Sequence, residues 1–372
     1  MKSDVTRTVD VFLEGSQKPL LVVLGPTASG KTGFSIELAK NIHGEIVNAD
    51  SRQLYRKLNI GTAKIMQGEM EGVPHHLIDI LDPKEELTVS WYRERAEKII
   101  DEIRGRGNIP ILVGGSMLYL ASVTDDLSLG PAKDPEIRQR LEDLYDRDGS
   151  EVLYKKLQKM DPESAADIHP NNRHRIIRAL EICEILKEKK SKAISSRAEL
   201  RPRQGGTERF VTPRGVTSEP ACRQAGSPSL SEGVTKGVGG ATPASASCAV
   251  YPELVEGAGR QHDTLIFGIE RNPAELKERI ALRTEEMFAK GWIDEVRGLL
   301  AQGYEADDPG MRSCGYGEII EYLCELETGG SDPDIDRMQQ ALQQKIVSRT
   351  RQYAKRQMTW WRGDERIRWV AP

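Results

Sequence analysis

Residues 25 to 32 run Gly25, Pro26, Thr27, Ala28, Ser29, Gly30, Lys31, Thr32, a full match to G-x-x-x-x-G-K-[ST]. The two glycines let the backbone turn tightly, so that its N–H groups can point inward at a phosphate. The start of a following helix adds partial positive charge. Lys31 can reach the terminal phosphate, and Thr32 supplies a hydroxyl for Mg²⁺. A glycine turn without a ligand gives no reason for Lys31-Thr32 at this spacing. The ligand class is a diphosphate or polyphosphate, of unspecified identity.

Asp50 ends a short apolar segment after this loop, within Asn48, Ala49, Asp50, Ser51, Arg52, Gln53. A carboxylate there can hold Mg²⁺, take a proton from an attacking group, or cap a loop. The apolar run 109–113 ends in Gly114, Gly115 and Ser116, where P-loop hydrolases place a metal-holding Asp. That lowers the case for a motor, a helicase or a regulatory GTPase. Gly114 and Gly115 allow a ligand to approach the backbone, and Ser116 offers a hydroxyl.

Two stretches are basic. Asn172 to Arg178 carries Arg173, Arg175 and Arg178, with His174 between them. Lys345, Arg349, Arg351, Lys355 and Arg356 fall in a run without acidic residues, interleaved with Tyr353 and followed by Trp360 and Trp361. Cations neutralise phosphates and aromatics stack on unpaired bases, so the pair of stretches points to RNA; a solvated helix face is the competing account of each.

These residues must be positioned by an α/β framework. The apolar runs 20–24 and 109–113 and a second strand at 45–48 alternate with helical patterns at 34–42 and 89–106. This predicts a parallel sheet flanked by helices, with the site at the carboxyl ends of the strands. The phosphate loop, Asp50 and Gly114-Gly115-Ser116 should then converge. We expect a tail at 1–17, a P-loop core at 18–130, and a helical insertion at 131–196. A segment at 197–260, rich in Gly, Pro, Ser, Thr and Ala, reads as a disordered insert. Residues 261–372 should supply a strand and helices that complete the core.

The 372 residues suffice for a large core, with 38% hydrophobic and 30% charged residues and a net charge of −4. RNA binding must therefore come from local charge. Five cysteines without a CxxC pair argue against a disulfide framework or a zinc site. No apolar run approaches the roughly 18 residues of a membrane span, and the N-terminus lacks a signal-peptide core. A cytoplasmic monomer is expected.

Several blocks, in order, resemble the tRNA dimethylallyltransferase (tRNA isopentenyltransferase) family. They are GPTASGKT at 25, NADSRQLY at 48, NIGTAK at 59, PHHLIDILDP at 74, VGGSMLY at 113, DPEIRQRL at 134, HPNNRHRIIRALE at 169, RSCGYGEIIEYL at 312 and TRQYAKRQMTWWR at 350. They cover the chain from about residue 18 to the end, apart from the insert. The resemblance implies transfer of a dimethylallyl group from dimethylallyl diphosphate to N6 of the adenine 3′ of the anticodon. The tRNAs concerned read codons that begin with U. It implies that residues 25–32 hold a diphosphate with Mg²⁺ at Thr32, that Asp50 is the general base, and that Ser116 and Lys31 assist. It further implies tRNA contacts from Asp50, Ser51, Arg52, Gln53, Ser116, Arg138, His174, Arg175, Ile176, Ile177, Arg178, Arg312, Ser313, Cys314, Gly315, Tyr316 and Gly317. Ser116 replaces the family's usual Thr, which predicts looser positioning of the hydroxyl. Gly317 stands where some relatives have Arg, and the segment 197–260 exceeds the usual link. The competing readings are a free-adenylate isopentenyltransferase, a small-molecule P-loop kinase, and an RNA-binding module with a vestigial nucleotide site.

Overall fold

The computed structural model describes residues 3–125, 127, 130–131, 133–186, 262–328 and 334–371. The expected insert at 197–260 lies outside the described residues. Six strands form one sheet: β1 (Pro19–Leu24), β2 (Gly44–Asn48), β3 (His75–His76), β4 (Ile109–Gly114), β5 (Asp263–Ile269) and β6 (Ile367–Val370). Their order is β3-β2-β4-β1-β5-β6, and every pairing is parallel. β1 is central, and its apolar run is buried from Leu20 to Leu24. A parallel sheet covered on both faces favours such unbroken runs.

Twelve helices are described. α1 (Ser3–Gly15), α2 (Lys31–Ile42), α3 (Val89–Gly105) and α4 (Met117–Thr124) belong with the first four strands. The segment 1–17, expected as a tail, instead holds α1. Its Val5 and Val9 are buried, and Phe12 and Leu13 pack on the same sheet core. Their spacing puts them on one helical face.

The expected helical insertion contains α5 (Pro135–Asp148), α6 (Ser150–Met160), α7 (Pro162–Asp167) and α8 (Arg173–Leu186). Asp134 caps α5 by accepting from the N–H groups of Glu136 and Ile137, with Pro135 opening the helix. These helices share a separate core around Leu141, Leu153, Leu157, Ile176, Ile177 and Leu180. Beneath it the fully buried Glu181 accepts from Asp134 N at 2.9 Å and from Arg178 at 2.8 Å.

After β5 come α9 (Pro273–Ala289), α10 (Trp292–Ala301), α11 (Tyr316–Thr328) and the 27-residue α12 (Ile335–Trp361). α9 and α12 pack together beside the phosphate loop around Ala28, Ile280 and Ala354. The strand at 264–269 and the four C-terminal helices match the sequence expectation. The short strands β3 and β6 were not anticipated.

The exit of β2 crosses tightly to the end of β4. Ala49 N donates to Val113 O at 2.7 Å, and Ser116 N donates to Ala49 O at 3.1 Å. A Cβ on Gly114 would lie 2.2 Å from Ala49 O. Because the obstruction is backbone, Gly114→Ala should destabilise the protein by about 2–3 kcal/mol, the upper range for overpacking. Gly298→Ala, in α10 with open space around it, should instead stabilise by roughly 0.5–1 kcal/mol. Urea-unfolding midpoints of the two variants check the contrast.

Candidate active site

The loop from Gly25 to Gly30 joins the buried end of β1 to the start of α2. Two residues adopt left-handed backbone: Gly30 with φ 97° and Ala28 with φ 63°. Ser29 N donates to Pro26 O at 3.2 Å, and Lys31 Nζ donates to Pro26 O at 3.3 Å. The outward carbonyls are held by arginines that follow β5. Arg271 Nε donates to Ser29 O at 2.7 Å, and Arg279 Nε donates to Ala28 O at 2.9 Å. Arg283 donates to Thr27 Oγ1 at 3.3 Å. The carbonyls of Pro26, Ala28 and Ser29 are thus engaged, each by a cationic side chain.

Lys31 and Arg283 are both half-buried beside this loop. Burial lowers the Lys31 pKa from the ordinary 10.5 to about 8; Asp50 opposes the shift and Arg283 reinforces it. Burial likewise lowers Arg283. Partial burial of two cations costs free energy that falls when an anion arrives beside them.

Asp50 is fixed by its neighbours. Asn48 Oδ1 accepts from Asp50 N at 3.0 Å, while Asn48 Nδ2 donates to Asp50 O and to Leu77 O. Tyr92 OH donates to Asn48 O at 2.9 Å, and its ring stacks on Tyr119 at 4.4 Å. Arg52 N donates to Asp50 Oδ1 at 3.0 Å. Asp50 lies within electrostatic reach of both Lys31 and Arg283.

Ser116 sits at the N-cap of α4 without capping it. Its hydroxyl accepts from Ser51 N at 2.9 Å and contacts Ser51 Oγ at 3.2 Å. These two contacts fix the rotor that the missing methyl was expected to loosen. The glycine pair also has a role other than the expected one. Gly114 makes room for Ala49, and a Cβ on Gly115 would lie 2.5 Å from Gln357 Nε2. The close approach is by protein. Gln357, buried in α12, donates to Gly115 O at 2.7 Å and accepts from Thr27 N at 3.2 Å, tying the end of β4 to the phosphate loop.

The phosphate loop, Asp50 and Ser116 therefore converge as expected. The remaining predicted residues divide. Arg52 is partly buried and donates to Pro309 O, and Gln53 donates to Thr62 O and Ala63 O. Arg312 and Cys314 are exposed, and Gly317 has open space beside it. Ser313 and Tyr316 are buried, so their side chains support this loop from within. In the helical group, His174 is exposed, while Arg178 and Arg138 bind Glu181 and Glu142. Ile176 and Ile177 are corrected: they lie on the inner face of α8, in the core, and their side chains cannot touch RNA. Trp361 is likewise core, whereas Arg351 and Lys355 are exposed.

Sequence reasoning missed Arg271, Arg279, Arg283 and Gln357. Arg279 and Arg283 are four positions apart on one helix, a visible pattern; their direction is set by packing far along the chain.

For a metal, Thr32 is exposed on the first turn of α2, beside Lys31. Among the described residues no cluster of three or more His, Cys, Asp or Glu could hold an ion. The exposed Thr32 hydroxyl fits Mg²⁺, a cation that prefers oxygen donors, and would be the residue to hold it.

A parallel sheet whose central strand runs into a G-x-x-x-x-G-K-T loop ringed by cations defines a protein that handles a phosphorylated molecule. The IPP transferase family model matches residues 53–217 and 242–364, and the chain belongs to that family. It is 36% identical over 353 residues to the tRNA dimethylallyltransferase of Symbiobacterium thermophilum, covering 95% of this chain and 89% of that protein. It is 37% identical over 357 residues to that of Geobacter metallireducens, covering 96% and 94%. The crystal structure of a tRNA isopentenylpyrophosphate transferase from Bacillus halodurans matches with a TM-score of 0.57 and 31% identity, covering 95% of this chain and 90% of that one. A eukaryotic dimethylallyltransferase, captured acting on tRNA, shares the fold with a TM-score of 0.67 at 24% identity, covering 95% and 74%.

Lys31 is charged below about pH 8 and neutral above it. Affinity for inorganic diphosphate, measured by calorimetry, should therefore fall as pH rises past that value, by up to about tenfold per unit. Lys31→Met should bind weakly throughout and lack this step.

Proposed function

We propose that the chain transfers a dimethylallyl group from dimethylallyl diphosphate to N6 of the adenine immediately 3′ of the anticodon, in tRNAs reading codons that begin with U. It acts as a cytoplasmic monomer. The observation that carries this reading is the position of Asp50, a carboxylate within electrostatic reach of the two cations of a diphosphate cradle. β4 ends beside it in Gly114, Gly115 and Ser116, not in the metal-holding carboxylate of a P-loop hydrolase.

In the reaction, the bond from N6 to the allylic carbon forms as the bond from that carbon to the diphosphate oxygen breaks. The electron pair leaves with diphosphate, into the loop N–H groups, Lys31 and Arg283. The N6 proton passes to Asp50. Ser116, held by Ser51, orients the amine or the diphosphate. Mg²⁺ at Thr32 would neutralise further charge on the leaving group. The adenine leaves its stack to reach this cleft. Arg52, Gln53, Arg312 and Cys314 on the core, and His174 and Arg175 on α8, contact the anticodon arm.

Incubation with dimethylallyl diphosphate, Mg²⁺ and either unmodified tRNA or AMP, followed by digestion, should yield N6-dimethylallyladenosine from the tRNA alone. Product on AMP but not on tRNA, or ATP consumption without prenyl transfer, would overturn the reading. Asp50→Ala should lower kcat by roughly 10²–10⁴-fold while leaving diphosphate binding intact. Lys31→Ala should also raise KM for the prenyl diphosphate. A normal kcat in Asp50→Ala removes it from the base role.

A further inference from the structure

Two segments that carry proposed RNA contacts, 50–63 and 309–317, come from distant parts of the chain and form one surface. Arg52 donates to Pro309 O at 3.2 Å, one direct stitch between them. α10 adds further bonds at the junction. Glu295 Oε2 accepts from Asn59 N and Ile60 N, both at 2.9 Å. Its Oε1 accepts from Tyr316 OH at 2.6 Å and from Gly61 N at 3.4 Å. Four donors from the two segments therefore converge on one carboxylate.

Trp292, one turn earlier and almost fully buried, fills the space between the same segments. A Cβ on Gly61 would lie 2.1 Å from its Nε1, and one on Gly315 would lie 2.0 Å from its ring. Gly315 also has φ 94°, a conformation that disfavours other residues. The Trp292 ring meets Tyr316 edge to face, with centroids 5.8 Å apart. Burial, and then Glu295, push the Tyr316 phenol well above its ordinary pKa, so it stays a donor. The loop 59–63 is in turn bound to Gln53, which donates to Thr62 O and Ala63 O.

We propose that Glu295, with Trp292 beneath it, is the positioning residue that locks the Arg52-Gln53 segment and the Arg312–Gly317 loop into a single RNA-reading surface. The proposal rests on the reading that this chain acts on tRNA. A carboxylate is required by the chemistry. Its two oxygens can accept from all four donors, whereas an amide must turn an NH₂ towards one pair of them. Glu295 takes no part in the polar contacts of the diphosphate cradle, which come from Arg271 just ahead of α9, from α9, from α12 and from the loop itself. Its loss should therefore separate the two substrates.

The test uses the full chain as wild type, Glu295→Gln and Tyr316→Phe. KM is measured separately for an anticodon stem-loop RNA and for dimethylallyl diphosphate, and the Kd of the stem-loop by fluorescence anisotropy. Glu295→Gln should raise KM and Kd for the RNA by roughly tenfold or more, the effect of losing charge-assisted hydrogen bonds. KM for dimethylallyl diphosphate should stay within about twofold, since none of those bonds touches its cradle. Tyr316→Phe keeps the packed ring and should give a smaller change in the same direction, so it serves if Glu295→Gln folds poorly. Unchanged RNA parameters, or equal losses for both substrates, would overturn the proposal. Kd needs no prenyl transfer. A wild-type protein that bound the stem-loop without modifying it would defeat the transfer reading, while the variants' Kd values would still decide this one. A wild-type protein that did not bind the stem-loop would defeat both.

Discussion

The site depends on one close approach of backbone to backbone. Where β2 leaves the sheet, Ala49 lies against Gly114 at the end of β4, with no room for a methyl group. Two hydrogen bonds, from Ala49 N and from Ser116 N, fix that crossing. Everything with chemistry follows from it. Asp50 is the next residue after Ala49, Ser116 is two after Gly114, and β1 with its loop is the next strand over. The strand order β2-β4-β1 lets three separate sequence motifs share one cleft.

The electrostatics follow a second rule: the cradle is assembled with its counter-charges facing outward. Arg271 and Arg279 spend their Nε donors on loop carbonyls, which both satisfies those groups and leaves positive charge behind the loop. Lys31 and Arg283 are half-buried, and burial lowers the pKa of each because it disfavours their charge. An anion bound beside them would relieve that penalty.

What was legible in the sequence was local. The G-x-x-x-x-G-K-T loop, Asp50 after one apolar run and Gly114-Gly115-Ser116 after another are each defined within a few residues. The parallel sheet was readable because its strands are apolar on both faces. The two-residue β3 and the four-residue β6 carry too little pattern to be seen. Gln357 and Arg283 act on Thr27 from more than 250 residues away, and nothing in their immediate neighbours marks that contact. Residue-by-residue carry-over from a family also overreached within a helix. Arg175 and His174 share a motif with Ile176 and Ile177, but helical geometry sends the isoleucines into the core. Tyr316 is a similar case, since its side chain builds the loop from beneath.

Gln357 has a further consequence for how the protein is made. It belongs to α12, and the strand that follows, β6, pairs with β5 at the edge of the sheet. During synthesis the phosphate loop and Asp50 emerge from the ribosome hundreds of residues before the side chain that ties Thr27 to Gly115. A nascent chain can thus build most of its sheet early, yet its cleft stays unlatched until α12 has been released. Premature termination anywhere upstream of that helix yields a polypeptide that retains the recognisable nucleotide-binding motif and lacks the bridge that closes it.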